Sequence, residues 1–434
     1  MPLKRRTIML SLPAAVAGLS LGLPRGLAAS PHHVVVVGGG FAGSTVAKYL
    51  RMWSNGGIAV TLIEPREQHV SCIMSNLVLN EQLSVEDLSF GYEALTGKYG
   101  VNVVRDRARS IDGANQRLQL MNSGSLAYDS LVVATGISFD PVDGLDTRKT
   151  PHAWIAGPQT SLLRQQIRDM PDDGTFVMTI PQAPYRCPPG PYERACLVAD
   201  ILGRRSGILG DGGRSGTGAP RVVVLDANPR IQAERETFSR AFQGIYGDIV
   251  EYIADATVVA VDSDAREVTT TRGTYRGDVL NVIPRHSAHG LLTTSGLTGA
   301  GGRWASVDPV TYGSILQDFP GVYVIGDAQG TGQPKSGHMA NSQAKICADA
   351  ILRSAAGLSP YTEERLNNLT TNSACFSPIT RSEASWLTAV FRYDRAAGAM
   401  TLAPGSLGEA HRWNSENYRD MFDWSRNLFA DTFG

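Results

Sequence analysis

Short runs of consecutive apolar residues recur along the chain, and each ends in a glycine, an acid or a turn. His33-Val-Val-Val-Val37 runs straight into three glycines, and residues 58–63 (Ile-Ala-Val-Thr-Leu-Ile) end in Glu64. Thr175-Phe-Val-Met-Thr-Ile180, Arg221-Val-Val-Val-Leu-Asp226 and Gly321-Val-Tyr-Val-Ile-Gly-Asp327 repeat the form. Unbroken runs of this kind mark strands buried on both faces, as in parallel sheets. Between them the apolar period lengthens to that of helices, over 44–53, 159–169, 194–202 and 337–353. The alternation predicts an α/β protein with two Rossmann-like dinucleotide-binding domains. The first occupies 30–144 and 285–357, and the second, 145–284, is inserted into it. From 358 to 434 the pattern changes to Asn-, Ser- and aromatic-containing segments, with strand-like stretches at 385–393 and 400–402. This part is expected to form a C-terminal α+β interface domain.

Length and charge narrow the picture. A chain of 434 residues exceeds one ordinary core. A net charge of −1 leaves no electrostatic footprint for nucleic acid. The N-terminus carries Lys4-Arg5-Arg6, a modestly apolar run to Leu23 interrupted by Pro13, Gly18 and Gly22, and the small-residue site Leu27-Ala28-Ala29. Residues 1–29 therefore read as a cleaved export signal of the twin-arginine type, which predicts a periplasmic protein that folds around its cofactor before export. No later stretch is apolar and long enough to span a bilayer.

Gly38-x-Gly40-x-x-Gly43 lies between the first strand and the first helix, with Glu64 about twenty residues on, at the end of the second strand. This is the full dinucleotide fingerprint: glycines admit the pyrophosphate and the carboxylate takes ribose hydroxyls. The second domain breaks the pattern. Where its glycine loop belongs stands Pro181-Gln-Ala-Pro-Tyr-Arg-Cys-Pro-Pro-Gly-Pro-Tyr-Glu193. Prolines remove backbone donors and fix φ, so this loop is unfit for phosphate. It presents a thiol, Cys187, and a carboxylate, Glu193, instead. Asp226 then occupies a ribose-acid position with no phosphate loop before it, and reads as a relic or a surface cap. The polar segment 203–218 reads as a mobile surface loop.

The chain has 5 cysteines, with no Cys-x-x-Cys, no haem-attachment motif and no zinc spacing. Cys196 and Cys347 sit among small apolar helical residues and read as core. Cys72 follows Glu64 by eight residues, where the chain can pass the far end of a cofactor; it is either a flavin-linked thiolate or a buried thiol. Cys187 and Cys375 lack core-like flanks, and in an oxidising compartment they are the natural disulfide pair, either a structural staple or a redox centre facing a flavin.

The turn Ala134-Thr135-Gly136 and the strand end Gly326-Asp327, taken with the N-terminal fingerprint, resemble the two-dinucleotide-domain flavoprotein reductases. In those proteins the Gly-Asp carboxylate binds the ribityl chain of FAD. The helix after Asp327 would aim its positive N-terminal end at the flavin. Three further strings sharpen the resemblance: Arg186-Cys-Pro-Pro-Gly-Pro-Tyr-Glu-Arg194, Pro334-Lys335-Ser-Gly337 with Ala340-Asn-Ser-Gln343, and the terminal Asp431-Thr-Phe-Gly434. They are similar to the flavoprotein subunit of flavocytochrome c sulfide dehydrogenase, a relative of the sulfide:quinone oxidoreductases.

The resemblance implies FAD bound by Gly38, Gly40, Gly43, Glu64, Thr135, Gly136, Gly326, Asp327 and Lys335, covalently attached through Cys72, with Trp424 near the flavin. It further implies that Cys187 and Cys375 form a redox-active disulfide and that Glu193 acts as a base in the pocket. Sulfide would attack the disulfide, leave a persulfide and a thiolate, and send two electrons to the flavin. With no haem motif and no fit NADH loop, electrons must leave through another molecule. The resemblance implies a cytochrome c subunit. Quinone reduction and NAD(P)H-dependent disulfide reduction are the alternatives; the mixed charge of the aromatic tail at 411–433 favours a protein partner over a membrane seat.

Overall fold

The computed structural model describes residues 31–209 and 218–434. In it the apolar runs become the strands of two parallel sheets. The first sheet has the order Val322–Val324, Ser130–Val133, His33–Val37, Ala59–Ile63, Asn102–Val104. Its central strand is paired in register on both sides, Val35 lying against Thr61 and Leu131. Successive side chains of a strand point to opposite faces, and both faces here are covered. Val34 and Val36 pack with Val46, Leu50, Ala344 and Cys347 from the helices Phe41–Trp53 and Gly337–Ala355. Val35 and Val37 pack with Ile111, Leu118 and Leu120 of a three-stranded antiparallel meander. Full burial on both faces explains why the strand carries no polar alternation.

The inserted domain repeats the plan. Its sheet runs Val250–Ile253, Arg221–Asp226, Thr175–Ile180, Val279–Val282, all parallel. Phe176, Met178 and Ile180 face the helices Pro158–Asp169 and Gly190–Arg205, while Val177 faces a core shared with Val261 and Val268 of a second meander. The two plans are joined where Ile137–Phe139 pairs antiparallel with His286–Ala288. The α/β class with Rossmann-like parallel sheets expected from the sequence is the one observed.

Two local expectations need correction. The helix expected at 194–202 begins at Gly190 and ends at Arg205. Pro191 stops nothing because a first-turn proline has no intrahelical bond to lose. Glu193 is thereby placed in the first helical turn, where the dipole favours an anion. Asp226 is no surface cap: it is fully buried and accepts hydrogen bonds from Tyr192 Oη (2.7 Å), Tyr252 Oη (2.7 Å), and the backbone and side-chain amides of Asn228. It ties the start of the Gly190–Arg205 helix to the sheet. Asp226→Ala removes the acceptor of four hydrogen bonds at once and is expected to cost about 3 kcal/mol of stability in urea unfolding.

The C-terminal part contributes the antiparallel strands Thr370–Pro378, Ala384–Asp394 and Ala399–Leu402 and the helix Ser415–Phe433. The helix is held in the first domain's core through Leu428 and Phe433. Lys48 Nζ donates to the terminal carbonyls of Ala430, Asp431 and Gly434 at 3.2, 2.8 and 2.8 Å, satisfying helix-end acceptors with a cation. Residues His32–Gly434 form one compact unit. No described helix is long and apolar enough to cross a membrane. The expected export signal, 1–29, lies outside the described residues, as does 210–217 of the expected polar loop.

Candidate active site

At the C-terminal ends of the first sheet's strands lies a cavity of about 450 Å³ lined by Gly38, Gly39, Gly40, Glu64, Thr135, Gly136, Cys72, Arg186, Gly326, Asp327 and Gly337, among others. The glycine fingerprint shapes it. A side chain on Gly43 would meet Gly38 O at 1.7 Å, so helix and strand close up only on glycine, whereas a side chain on Gly40 would meet nothing nearer than His69, at 3.4 Å. Gly43 is thus a packing residue and Gly40 faces the cavity. Glu64 is 2 % exposed, accepts from Gly39 N at 2.8 Å, and is held ionised by Arg66 and these hydrogen bonds, against its burial.

Two polar groups deeper in this cavity lack partners. Asp327 Oδ1 and Thr135 Oγ1 are buried without a hydrogen bond. Burial pushes the Asp327 carboxyl up, with Arg186 and Lys335 opposing. Orphaned buried groups of this kind call for a polar ligand. A glycine turn, a ribose-binding acid, and an unpaired acid beside a helix N-terminus fit FAD. The helix is Gly337–Ala355, capped by Ser336 Oγ accepting from Met339 N at 3.2 Å. Lys335, expected on the cofactor, lines neither this cavity nor the one beside it. Its Nζ donates to the carbonyls of Asp327 (2.9 Å) and Gln329 (2.7 Å) and lies 3.6 Å from the Trp304 ring centroid. It steadies the Asp327 loop from behind.

Beyond Cys72, Arg186 and Gly337, which also border the first cavity, opens a second of about 60 Å³. Cys187, Glu193, Cys375, Asn76, His338, Phe376 and Trp424 line it. Three of the five cysteines therefore converge on one small space, and the two expected in the core, Cys196 and Cys347, are fully buried elsewhere. The proline loop aims Cys187: its N–H donates to Lys335 O at 2.7 Å and its φ is 58°, a left-handed conformation uncommon for a side-chain-bearing residue. Cys375 comes from the strand Thr370–Pro378. The two are free thiols in this structure, not the expected bridge. Burial pushes all three thiols up, Cys375 to about 12 and Cys187 well above its ordinary value, the latter also raised by Cys375 and Glu193 nearby.

Glu193 is no surface carboxylate. It is 8 % exposed, and burial raises it from 4.5 to about 8, against a hydrogen bond from Asn76 Nδ2 at 2.9 Å. Asn76 in turn accepts from Arg194 Nε at 3.0 Å. Arg194, fully buried, spends its other donors on the carbonyls of His152 and Ala153 and on Asn281 Oδ1. Trp424 lines the cavity with its Nε1 buried and unpaired, tilted against Phe376 and His338.

Sequence reasoning missed Arg186, Asn76 and His69. Arg186 is the cation at the junction of the two cavities, lowering Cys72 and Asp327 against their burial. Its place directly before Cys187 was the available signal. His69 lines the first cavity with both ring nitrogens buried and unpaired, and burial lowers it to about 3. Asn76 lies four residues after Cys72, a spacing that gives no chemical hint alone.

Residues 160–284 match the family described as sulfide dehydrogenase (flavocytochrome c) flavoprotein chain, central. Over 45 residues, 10% of this chain, it is 56% identical to a sulfide dehydrogenase (flavocytochrome c) flavoprotein chain of Chlorobaculum thiosulfatiphilum and spans 92% of that sequence. The chain belongs to this family. Residues 32–155 match the pyridine nucleotide-disulphide oxidoreductases. The chain is also 23% identical over 372 residues to a mitochondrial sulfide:quinone oxidoreductase of Dictyostelium discoideum, covering 83% of this chain and 77% of that one. Among solved structures, the sulfide:quinone oxidoreductase of Aquifex aeolicus shares the fold with a TM-score of 0.72 at 16% identity, over 93% of this chain and 92% of that chain. A ferredoxin reductase from Rhodopseudomonas palustris shares it with a TM-score of 0.57 at 20% identity, over 82% of each chain. The chain is thus an FAD-binding oxidoreductase of the sulfide-oxidising flavoprotein family.

Proposed function

We propose that the protein oxidises sulfide through Cys187 and Cys375, delivers the electrons to FAD and passes them to a cytochrome c subunit. The observation that carries this reading is the convergence of Cys72, Cys187, Cys375 and Glu193 on one small cavity that adjoins the nucleotide cleft. The reaction begins from the oxidised pair. Hydrosulfide attacks one sulfur of the Cys187–Cys375 disulfide, a new S–S bond forms as the old one breaks, and the other cysteine leaves as a thiolate. Glu193 takes the proton from the resulting persulfide. FAD supplies a two-electron acceptor when bound. Arg186, between the cavities, favours negative charge on Cys72. Trp424, Phe376 and His338 wall the space against bulk water.

Cys72 borders the nucleotide cleft and is proposed as the covalent anchor of FAD. Acid precipitation of the flavin-loaded protein is expected to carry the yellow colour into the pellet, and Cys72→Ser to leave it in the supernatant while the protein still binds flavin. Colour in the wild-type supernatant would remove the covalent link. The reading itself is tested by anaerobic titration: sulfide is expected to bleach the flavin, and NADH not to. Rapid bleaching by NADH would place the protein among NAD(P)H-dependent reductases instead.

Quinone is the second reading for the acceptor, favoured by the long match to the Dictyostelium enzyme. Reoxidation of the sulfide-reduced protein separates the two: cytochrome c is expected to restore the flavin spectrum faster than a short-chain quinone. The paired arginines of the N-terminus support export to the periplasm, where such a cytochrome would be met.

A further inference from the structure

Asn76 stands beside Glu193 with both ends of its amide committed. It belongs to the short helix Ser75–Val78, four residues beyond Cys72, and is buried. Its Nδ2 donates to Glu193 Oε1 at 2.9 Å and to the carbonyl of Gly190, the first residue of Glu193's helix, at 3.1 Å. Its Oδ1 accepts from Arg194 Nε at 3.0 Å. Neighbours on a helix do not face each other, so Arg194 reaches Glu193 by way of Asn76.

Arg194 and Gly190 leave this amide a single orientation. A guanidinium only donates and a carbonyl only accepts. Turning the amide over would set N–H against N–H at Arg194 and oxygen against oxygen at Gly190. Arg194 cannot swing aside, because its other nitrogens donate to the carbonyls of His152 (2.8 Å) and Ala153 (2.7 Å) and to Asn281 Oδ1 (2.9 Å). Asn76 therefore always offers Glu193 an N–H. Oε1 accepts it whether the carboxyl is ionised or neutral, and the proton is steered to Oε2. Among the described residues Oε2 has no hydrogen-bond partner, and Glu193 lines the cavity that Cys187 and Cys375 share.

We propose that Asn76, locked by Arg194 and Gly190, is a positioning residue that holds Glu193 so that its proton arrives and leaves at Oε2, on the side of the sulfur cavity. The inference rests on the sulfide-oxidising reading above. In the transfer an S–H bond of the persulfide breaks as an O–H bond forms on Oε2. Two-electron reduction of FAD takes up one proton, the one hydrosulfide brings, so no further reactant is consumed. The groups coupled to Glu193 by charge are Arg194 and Cys196 on its own helix, Cys187 in the loop before it, and Cys375 and Glu234 from other elements. Cys72, Arg186 and His338 also line the cavity. Burial raises Glu193 to about 8, and the bond from Asn76 opposes burial more than the charge of Arg194 does. Loss of the Asn76 N–H therefore raises the carboxyl further.

The test substitutes Asn76 and leaves every titratable group in place. Asn76→Leu keeps the volume, so water is not admitted, but offers no N–H. The pH profile of sulfide-driven flavin bleaching is expected to keep its shape and move up by about one pH unit, making the variant about tenfold slower at pH 7 and close to wild type above the new limb. Infrared difference spectra of the flavin-loaded protein across the same pH range read the site without turnover. The C=O band of protonated Glu193 is assigned by its loss in Glu193→Gln. A carbonyl oxygen that accepts a hydrogen bond absorbs at lower frequency than a free one, so the band is expected to rise in Asn76→Leu. A band that stays in place, or a rate lowered equally at every pH, would overturn the positioning role. If Asn76→Leu does not fold, Asn76→Asp decides in its place: it keeps an acceptor for Arg194, its carboxylate cannot donate to Glu193, and an unmoved limb overturns the proposal. A wild type that sulfide does not bleach overturns the functional reading and the proposal with it. A bleached wild type with an unmoved limb in the variant overturns the proposal alone.

Discussion

Cys187→Ser is expected to slow sulfide-driven bleaching of the flavin by roughly a thousandfold or more, because a serine can neither form the disulfide nor carry the sulfur. Stopped-flow absorbance of the anaerobic protein measures this directly. Cys375→Ser is expected to fall as far, since the chemistry needs both sulfurs and the two losses are not additive. The comparison that gives the result meaning is Cys196→Ser. Cys196 is fully buried in the core of the inserted domain. A hydroxyl there costs about 1–3 kcal/mol of stability, yet bleaching is expected to persist. Cys187→Ser protein that bleaches at the wild-type rate would dismiss the cysteine pair from the reaction.

What the sequence could show and what it could not divides along physical lines. Strands such as His33–Val37 and Thr175–Ile180 are buried on both faces, so composition alone marks them. The fingerprint glycines are legible because their role is steric: the space at Gly43 admits no side chain at all. Cys187 stands out because prolines surround it where glycines belong. Asp226 was misread because an acid at a strand end has one local appearance and two fates. Only the distant partners Tyr192 and Tyr252 decide that it is buried. Lys335 was misplaced for the same reason, its side chain turning back to its own loop. Asn76 matters through contacts across the chain with Glu193 and Arg194, and no local pattern records those.

Glu193→Gln is expected to slow flavin reduction by about a hundredfold at pH 8 and above and, at the same pH, to make the protein more stable. Both effects come from one cause. Burial raises the folded carboxyl from 4.5 to about 8, whereas in the unfolded chain it ionises near its ordinary value. Between those two pH values the folded state holds a proton that the unfolded state has lost. Stability attributable to this group is therefore greatest below about pH 4.5, falls as pH rises toward 8, and is flat above, where the ionised group burdens the fold by up to roughly 5 kcal/mol. Glutamine removes that burden and still accepts from Asn76. Activity has the opposite slope. A base works only when ionised, so the rate is expected to rise with pH up to about 8, and the variant to lose this limb while keeping the one set by ionisation of sulfide itself. Parallel pH series of melting temperature and flavin-reduction rate check the pair of trends. A variant less stable than wild type at pH 8.5 would mean that Glu193 is held as a structural anion through Asn76, and the base would have to be sought elsewhere in the cavity.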